Sequence, residues 1–278
     1  MFAAIPSPTQ SQFEVGPLTF HFYALCIILG VVAAVLIGNR RYVGLGGKSG
    51  VVGDVAVFAV PAGVIGGRLY HVITSPEKYF GAGGDPIAIL YIWQGGLGIW
   101  GAITLGFAAA YFAYRKHPQN SGIEFSRFAD ALAPALLVAQ AIGRWGNWFN
   151  KELFGRPLDA PWALEIPPIY RPFGYSSYET FHPVFLYESL WCLAVAAFLM
   201  LYPKRRSLGS GSIFALYVAL YSFGRGLIEL IRIDESNLIF GVRLNFFTSL
   251  FLIFGASIYL YRHRNIQSGK LNPPQGNE

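Results

Sequence analysis

Mostly apolar residues fall into seven blocks along the chain, at 18–38, 51–73, 88–113, 128–147, 183–202, 211–231 and 244–261. A helix rises about 1.5 Å per residue, so crossing a hydrocarbon core of roughly 30 Å takes about 20 such residues. The pattern therefore predicts an all-α integral membrane protein of about seven transmembrane helices. The first, second, third, fifth and seventh blocks are clear. The fourth holds Asp130, Pro134, Gln140 and Arg144, and the sixth holds Arg225 and Glu229, so a hydropathy window alone would return five or six. Residues 148–182, between the fourth and fifth blocks, are rich in Pro, Gly, Tyr and Trp, which suits a small external cap at headgroup level. The stretch 74–87 is expected to lie along the same interface. No internal repeat or low-complexity tract interrupts this order. A single multi-pass domain is expected over 1–264, followed by a disordered tail, 265–278, of polar residues with Pro-Pro and Gly.

Composition agrees: 54% of the 278 residues are hydrophobic and 13% are charged, against roughly a quarter charged in soluble domains. The net charge of +6 gives no support to a nucleic-acid partner, because the cations follow the loops. Twelve Lys and Arg fall in loops after the odd-numbered spans, six on the other side and three within spans. The positive-inside rule then places the N-terminus outside and the C-terminus in the cytoplasm. The first sixteen residues have neither a basic n-region nor a cleavage site and are not expected to be a signal peptide. Cys26 and Cys192 lie inside apolar blocks, where thiols are inert core residues, and imply no disulfide. The five histidines show no metal-ligand spacing.

The informative residues are charges where hydrocarbon should be. Each costs at least about 2.5–3.5 kcal/mol at mid-bilayer without a partner, water or a function. In YSFGRGLIELIR, Arg225, Glu229 and Arg232 stand at helical spacing on one face. Two readings stand: a buried ion pair that fixes packing, or an anion site in which Glu229 orients Arg225 and leaves Arg232 for a phosphate. The fourth block ends in GRWGNWFNKELFGR, where Arg144 and Asn147 share a face and Gly143 and Gly146 permit close approach. Asn150, Glu152, Gly155 and Arg156 come next. Composition leaves a pore lining or a transporter site open at this point. Gly95, Gly96, Gly98 and Gly101 suit tight helix contact or an unwound backbone, and Arg68 either snorkels or faces inward. Asp54 and Asp130 sit near helix starts and read as structural.

The run GRWGNWFNKELFG resembles the signature of the bacterial prolipoprotein diacylglyceryl transferase family, Gly-Arg-x-Gly-Asn-Phe-x-Asn-x-Glu with a Gly shortly after; only Trp148 departs, replacing Phe. HPVFLYE (182–188) is similar to the family's His-Pro-x-x-x-Tyr-Glu element, and GRGLIELIR (224–232) to its Gly-Arg…Glu…Arg element. The resemblance covers essentially the whole chain apart from the tail. It implies a catalytic domain that moves the diacylglyceryl group of phosphatidylglycerol onto the lipobox cysteine thiol in preprolipoprotein signal peptides, forming a thioether and releasing glycerol 1-phosphate. It also implies a multi-pass protein of the bacterial plasma membrane, among membrane lipids, with its active site toward the external face and no cofactor.

Carried onto this sequence, the resemblance makes Arg144, Arg225, Glu229 and Tyr23 catalytic candidates. It makes Arg144, Asn147, Asn150, Glu152, Gly155 and Arg232 candidates for binding the phosphatidylglycerol headgroup. Asn147 and Asn150 would fix headgroup oxygens, Glu152 and Glu229 would orient the cations, and Gly155 would let the headgroup approach. His182, Tyr187 and Glu188 are candidate helpers. Many family members carry a His, proposed as the base for the thiol, where this chain has Trp100. Indole cannot accept a proton, so the thiol is expected to ionise through nearby arginines.

Overall fold

A computed structural model describes residues 4–202, 208–234, 236 and 238–264. The expected tail at 265–278 and the loop cations Lys204, Arg205 and Arg206 lie outside the described residues. Within them the helices are α1 (Phe22–Gly44), α2 (Val51–Thr74), α3 (Glu77–Phe80), α4 (Ile99–Arg115), α5 (Phe125–Asn150), α6 (Val184–Leu201), α7 (Ser212–Glu229) and α8 (Leu244–Arg264). Three antiparallel two-stranded hairpins accompany them: β1 (Gln12–Val15) with β2 (Leu18–His21), β3 (Leu164–Glu165) with β4 (Thr180–Phe181), and β5 (Leu238–Ile239) with β6 (Val242–Arg243).

Helices α1, α2, α5, α6 and α8 are long and apolar enough to cross a membrane. The two other long helices have visible reasons for standing apart. α4 is only 17 residues long, because 3-10 turns at Pro86–Leu90 and Ile92–Gln94 occupy the start of the expected third span. Gly95 and Gly96 then reverse the chain with φ of 84° and 74°, a region that glycine enters without a Cβ clash. α7 carries Arg225 and Glu229 within its 18 residues.

Backbone contacts divide the chain into two compact units, Asn39–Phe128 and Met1–Gly38 with Ala129–Glu278. In the first, α2 and α4 meet backbone to backbone: a Cβ on Gly66 would lie 2.3 Å from the Gly101 carbonyl oxygen. Both readings of the glycine run therefore apply, tight contact at Gly101 and unwound chain at Gly95 and Gly96. Arg68 faces inward, only 6% exposed. It donates to the carbonyls of Ile89 at 2.8 Å, Gly95 at 2.7 Å and Gly96 at 3.1 Å, and also to Ala88. Its structural task is to satisfy carbonyls that a 3-10 and glycine segment leaves without helical partners. Asp54 pairs with His117 at 3.1 Å.

In the second unit, Ala133, Leu137 and Ala141 of α5 pack with Cys192, Val195, Ala196 and Leu199 of α6 and Ile213 of α7. Asp130 caps α7, accepting from the backbone N–H of Gly211 at 2.8 Å and of Phe214 at 2.9 Å. The structural reading of Asp130 thus has a specific basis in orphan helix N–H groups. Residues 148–182 fold compactly: Phe154, Leu164, Ile166 and Phe181 form a core with Phe185 of α6.

Candidate functional site

Every candidate residue lies in the second unit, where α1 begins, α5 ends, α6 begins and α7 ends. The end of α5 is shaped by the residues just beyond it. Lys151 and Leu153 adopt left-handed φ of 56° and 57°, turning the chain back so that Glu152 faces the helix it has just left. Asn147 Nδ2 donates to Glu152 Oε1 at 2.8 Å, and Asn150 Nδ2 donates to the same oxygen at 3.3 Å. Glu152 therefore orients two amides, not a cation as expected. A carboxylate can only accept, so both amide nitrogens point at it. Tyr23, in the first turn of α1, lies against Gly146, where a Cβ would stand 2.5 Å from its ring. Its hydroxyl lies within range of the charges of Arg144 and Glu152.

A chain of alternating charges runs from this corner through three helices. Arg144 Nη2 donates to the Tyr221 hydroxyl at 3.2 Å, while its Nε contacts Glu188 Oε2. Glu188 Oε1 accepts from Arg225 Nη1 at 2.7 Å, and Arg225 Nη2 reaches Glu229 Oε2 at 2.7 Å. Glu229 Oε1 then accepts from Arg243 Nε at 2.6 Å and from Asn245 Nδ2 at 3.2 Å. Glu188, placed only among the helpers by sequence, is the bridge between the two central arginines.

Arg232 differs from expectation. α7 ends at Glu229, so Arg232 is not on the helix face but in an isolated β-bridge with Gly155. Its charge is shared with carboxylates: its Nε and Nη2 each lie 2.7 Å from Asp234, a bidentate pair, and its Nη1 lies 3.8 Å from Glu229. Arg243 Nη2 also reaches the Asp234 carboxylate, at 2.9 Å. Burial pulls the Asp234 carboxyl up, but the hydrogen bonds and charges of Arg232 and Arg243 outweigh it and hold it below its ordinary value.

Among the described residues of this network, Arg144, Arg225, Arg232 and Arg243 face Glu188, Glu229 and Asp234, four cations to three carboxylates. The exposure is uneven. The side chains of Glu188 and Glu229 are 5% and 0% exposed, against 21% for Arg144 and 17% for Arg225. The carboxylates are more deeply buried than the guanidiniums they hold.

Gly155 is packed closely by the protein itself. A Cβ there would meet His182 Cβ at 2.8 Å and the Ile231 carbonyl at 3.0 Å. His182 Nδ1 and the Tyr187 hydroxyl are 3.1 Å apart, and Trp162 Nε1 donates to that hydroxyl at 3.1 Å. Burial, with the charge of Arg156, lowers the His182 pKa from its ordinary value. Four participants had no signal of their own in the sequence: Tyr221, Asp234, Arg243 and Asn245. The i+2 spacing of Arg232 and Asp234 was the only hint available.

Residues 10–262 match the family described as prolipoprotein diacylglyceryl transferase. The chain is 52% identical over 270 residues to phosphatidylglycerol–prolipoprotein diacylglyceryl transferase 2 of Streptomyces coelicolor, spanning 96% of this chain and 84% of that one. It is 51% identical over 268 residues to the phosphatidylglycerol–prolipoprotein diacylglyceryl transferase of Streptomyces griseus, with 96% and 80% covered. With the one from Cutibacterium acnes it shares 51% over 257 residues, covering 92% and 86%.

Proposed function

Because the chain belongs to the prolipoprotein diacylglyceryl transferase family, we propose that it transfers the diacylglyceryl group of phosphatidylglycerol to the lipobox cysteine of preprolipoproteins, the first step of lipoprotein maturation. The sulfur attacks the glyceryl carbon that bears the phosphodiester and a C–S bond forms. The C–O bond breaks, and glycerol 1-phosphate leaves with the electron pair while the thiol gives up its proton.

The observation that supports this reading is the pair Arg144 and Arg225, both held by Glu188 and both more accessible than it. Negative charge grows on the departing phosphate in the transition state, and fixed guanidiniums aimed at it stabilise that state without reorganising. Asn147 and Asn150, whose Nδ2 groups are committed to Glu152, keep carbonyl oxygens to accept from headgroup hydroxyls. Tyr23 lines the same corner. With Trp100 where the family resemblance implies a His in many members, thiolate formation falls to the arginine field, since nearby cations lower a thiol pKa from about 8.5. His182 and Tyr187 support the cap from outside this step. In the same reading 1–264 is one catalytic domain of seven spans, α4 and α7 included, in the bacterial plasma membrane. The N-terminus is outside, the C-terminus is cytoplasmic and the site faces outward.

The test is transfer of labelled diacylglyceryl from phosphatidylglycerol to a lipobox peptide. Arg144→Ala and Arg225→Ala are expected to abolish it while inserting normally; full activity from the Arg144 variant ends the assignment.

A further inference from the structure

Beyond Arg225 and Glu229 the charge network opens into an outer depression of about 580 Å³, lined by Arg156, Arg232, Arg243, Asp234, Tyr175 and Ser236 among others. Two of its three guanidiniums, Arg232 and Arg243, are fixed by Asp234. Arg156 is different. Its backbone is pinned, its N–H donating to the Ile231 carbonyl at 2.9 Å, beside the Gly155–Arg232 bridge. Its side chain is exposed, and among the described residues no carboxylate or hydrogen-bond acceptor holds it. Among the described residues, adding Arg156 to the network raises its surplus over Glu188, Glu229 and Asp234 from one positive charge to two.

That second charge matches a change in the ligand during the reaction. A phosphodiester headgroup carries one negative charge, whereas the released phosphomonoester carries about 1.5–2 at pH 7. A dianion is drawn from the lipid site toward the place where cation is in excess, and guanidinium geometry suits phosphate oxygens. Tyr175 and Ser236 add hydroxyls suited to a polyol. We propose that this pocket is a separate site for the glycerol phosphate group, holding the leaving group after it departs from Arg144 and Arg225. This rests on the function proposed above. The headgroup of a second phospholipid presents the same group, and the experiment separates the two.

The test uses the full chain in phosphatidylcholine nanodiscs, with sn-glycerol 1-phosphate as probe and glycerol as control, followed by calorimetry. Wild type and Arg144→Ala are expected to bind the probe alike. Arg156→Gln is expected to bind it about tenfold or more weakly, the scale of one lost charge-assisted bond, and Arg156→Lys to recover part of the loss. Added glycerol 1-phosphate should also inhibit transfer less in Arg156→Gln than in wild type. Binding that vanishes in Arg144→Ala but survives in Arg156→Gln overturns the proposal, since the probe then occupies the transfer site. So does a wild type that ignores the soluble probe, or one in which only phosphatidylglycerol doped into the disc responds to Arg156→Gln. If wild type performs no transfer, the function proposed above fails, while the binding arms still decide the pocket.

Discussion

Glu188 and Arg225 meet at 2.7 Å between helices α6 and α7, and the same carboxylate holds Arg144 of α5. One acidic side chain, 5% exposed, thereby sets the spacing of two cations that would otherwise repel. Glu188→Gln keeps the shape and removes the charge. Transfer is expected to fall about 10–100-fold, the scale of a lost bond between charged partners. Glu188→Ala should in addition cost about 3–5 kcal/mol of stability, as breaking a buried pair does. Transfer kinetics and thermal melting of both variants check this.

Tyr221 touches the same network more lightly, through one bond of 3.2 Å to Arg144. Tyr221→Phe should cost about 1 kcal/mol, a few-fold in transfer. A change as large as that of Arg144→Ala would mean that the phenol itself takes part in the chemistry.

Trp100→His installs the residue type that the family resemblance implies for this position. If arginines supply the ionisation of the thiol, the pH profile of transfer should be unchanged by it. A gain in rate with a lower pH optimum would show instead that a base is missing in the wild type.

Asp234 titrates in a direction that can be worked out. Its folded pKa is held below the ordinary value, so the stability it contributes is present above the ordinary carboxylate pKa of about 3.9 and is lost as pH falls through the folded value. Asp234→Asn should melt lower than wild type at pH 7, and the gap should close only on acidification below about pH 4. Melting curves across that range decide it; a gap that closes by pH 6 would exclude the assignment.

Gly155→Ala tests packing. The new methyl would sit 2.8 Å from His182 Cβ and 3.0 Å from a backbone carbonyl, neither of which is a flexible side-chain end. A loss of about 1–3 kcal/mol is expected from such overpacking, read as a lower melting temperature. Reduced headgroup affinity with unaltered melting would favour the ligand-approach role that its sequence context suggests.

Much of the membrane architecture was legible because hydrophobic blocks are long and local. Five of the seven expected blocks correspond to helices with the length and apolarity of spans. The third was begun too early, since Ile89 and Leu90 belong to 3-10 turns that hydropathy cannot tell from helix. At the site, helical spacing identified Arg225 with Glu229, an i, i+4 pair, because both lie within one helix. It failed at Arg232, because α7 stops at Glu229 and periodicity has no term for where a helix ends. Spacing was equally silent on Glu188 and Arg243, whose partners come from other elements. Glu152 was misassigned because two left-handed residues, Lys151 and Leu153, reverse the chain around it, and nothing in their side chains announces that conformation.

The alternation of charge along α5, α6 and α7 also bears on how the chain is made. Arg144 is synthesised first, and its counter-ion, Glu188, arrives with the next long helix. Arg225 comes later on α7 together with Glu229, one turn away. In the proposed membrane, α5 and α6 can leave the translocon as a neutral hairpin, and α7 carries its own compensation. No late C-terminal segment is needed to neutralise Arg144 or Arg225 while the ribosome is still at work. The order of the ions in the sequence is thus also an order of assembly, and shuffling these helices would strand a lone charge in lipid at about 2.5–3.5 kcal/mol or more.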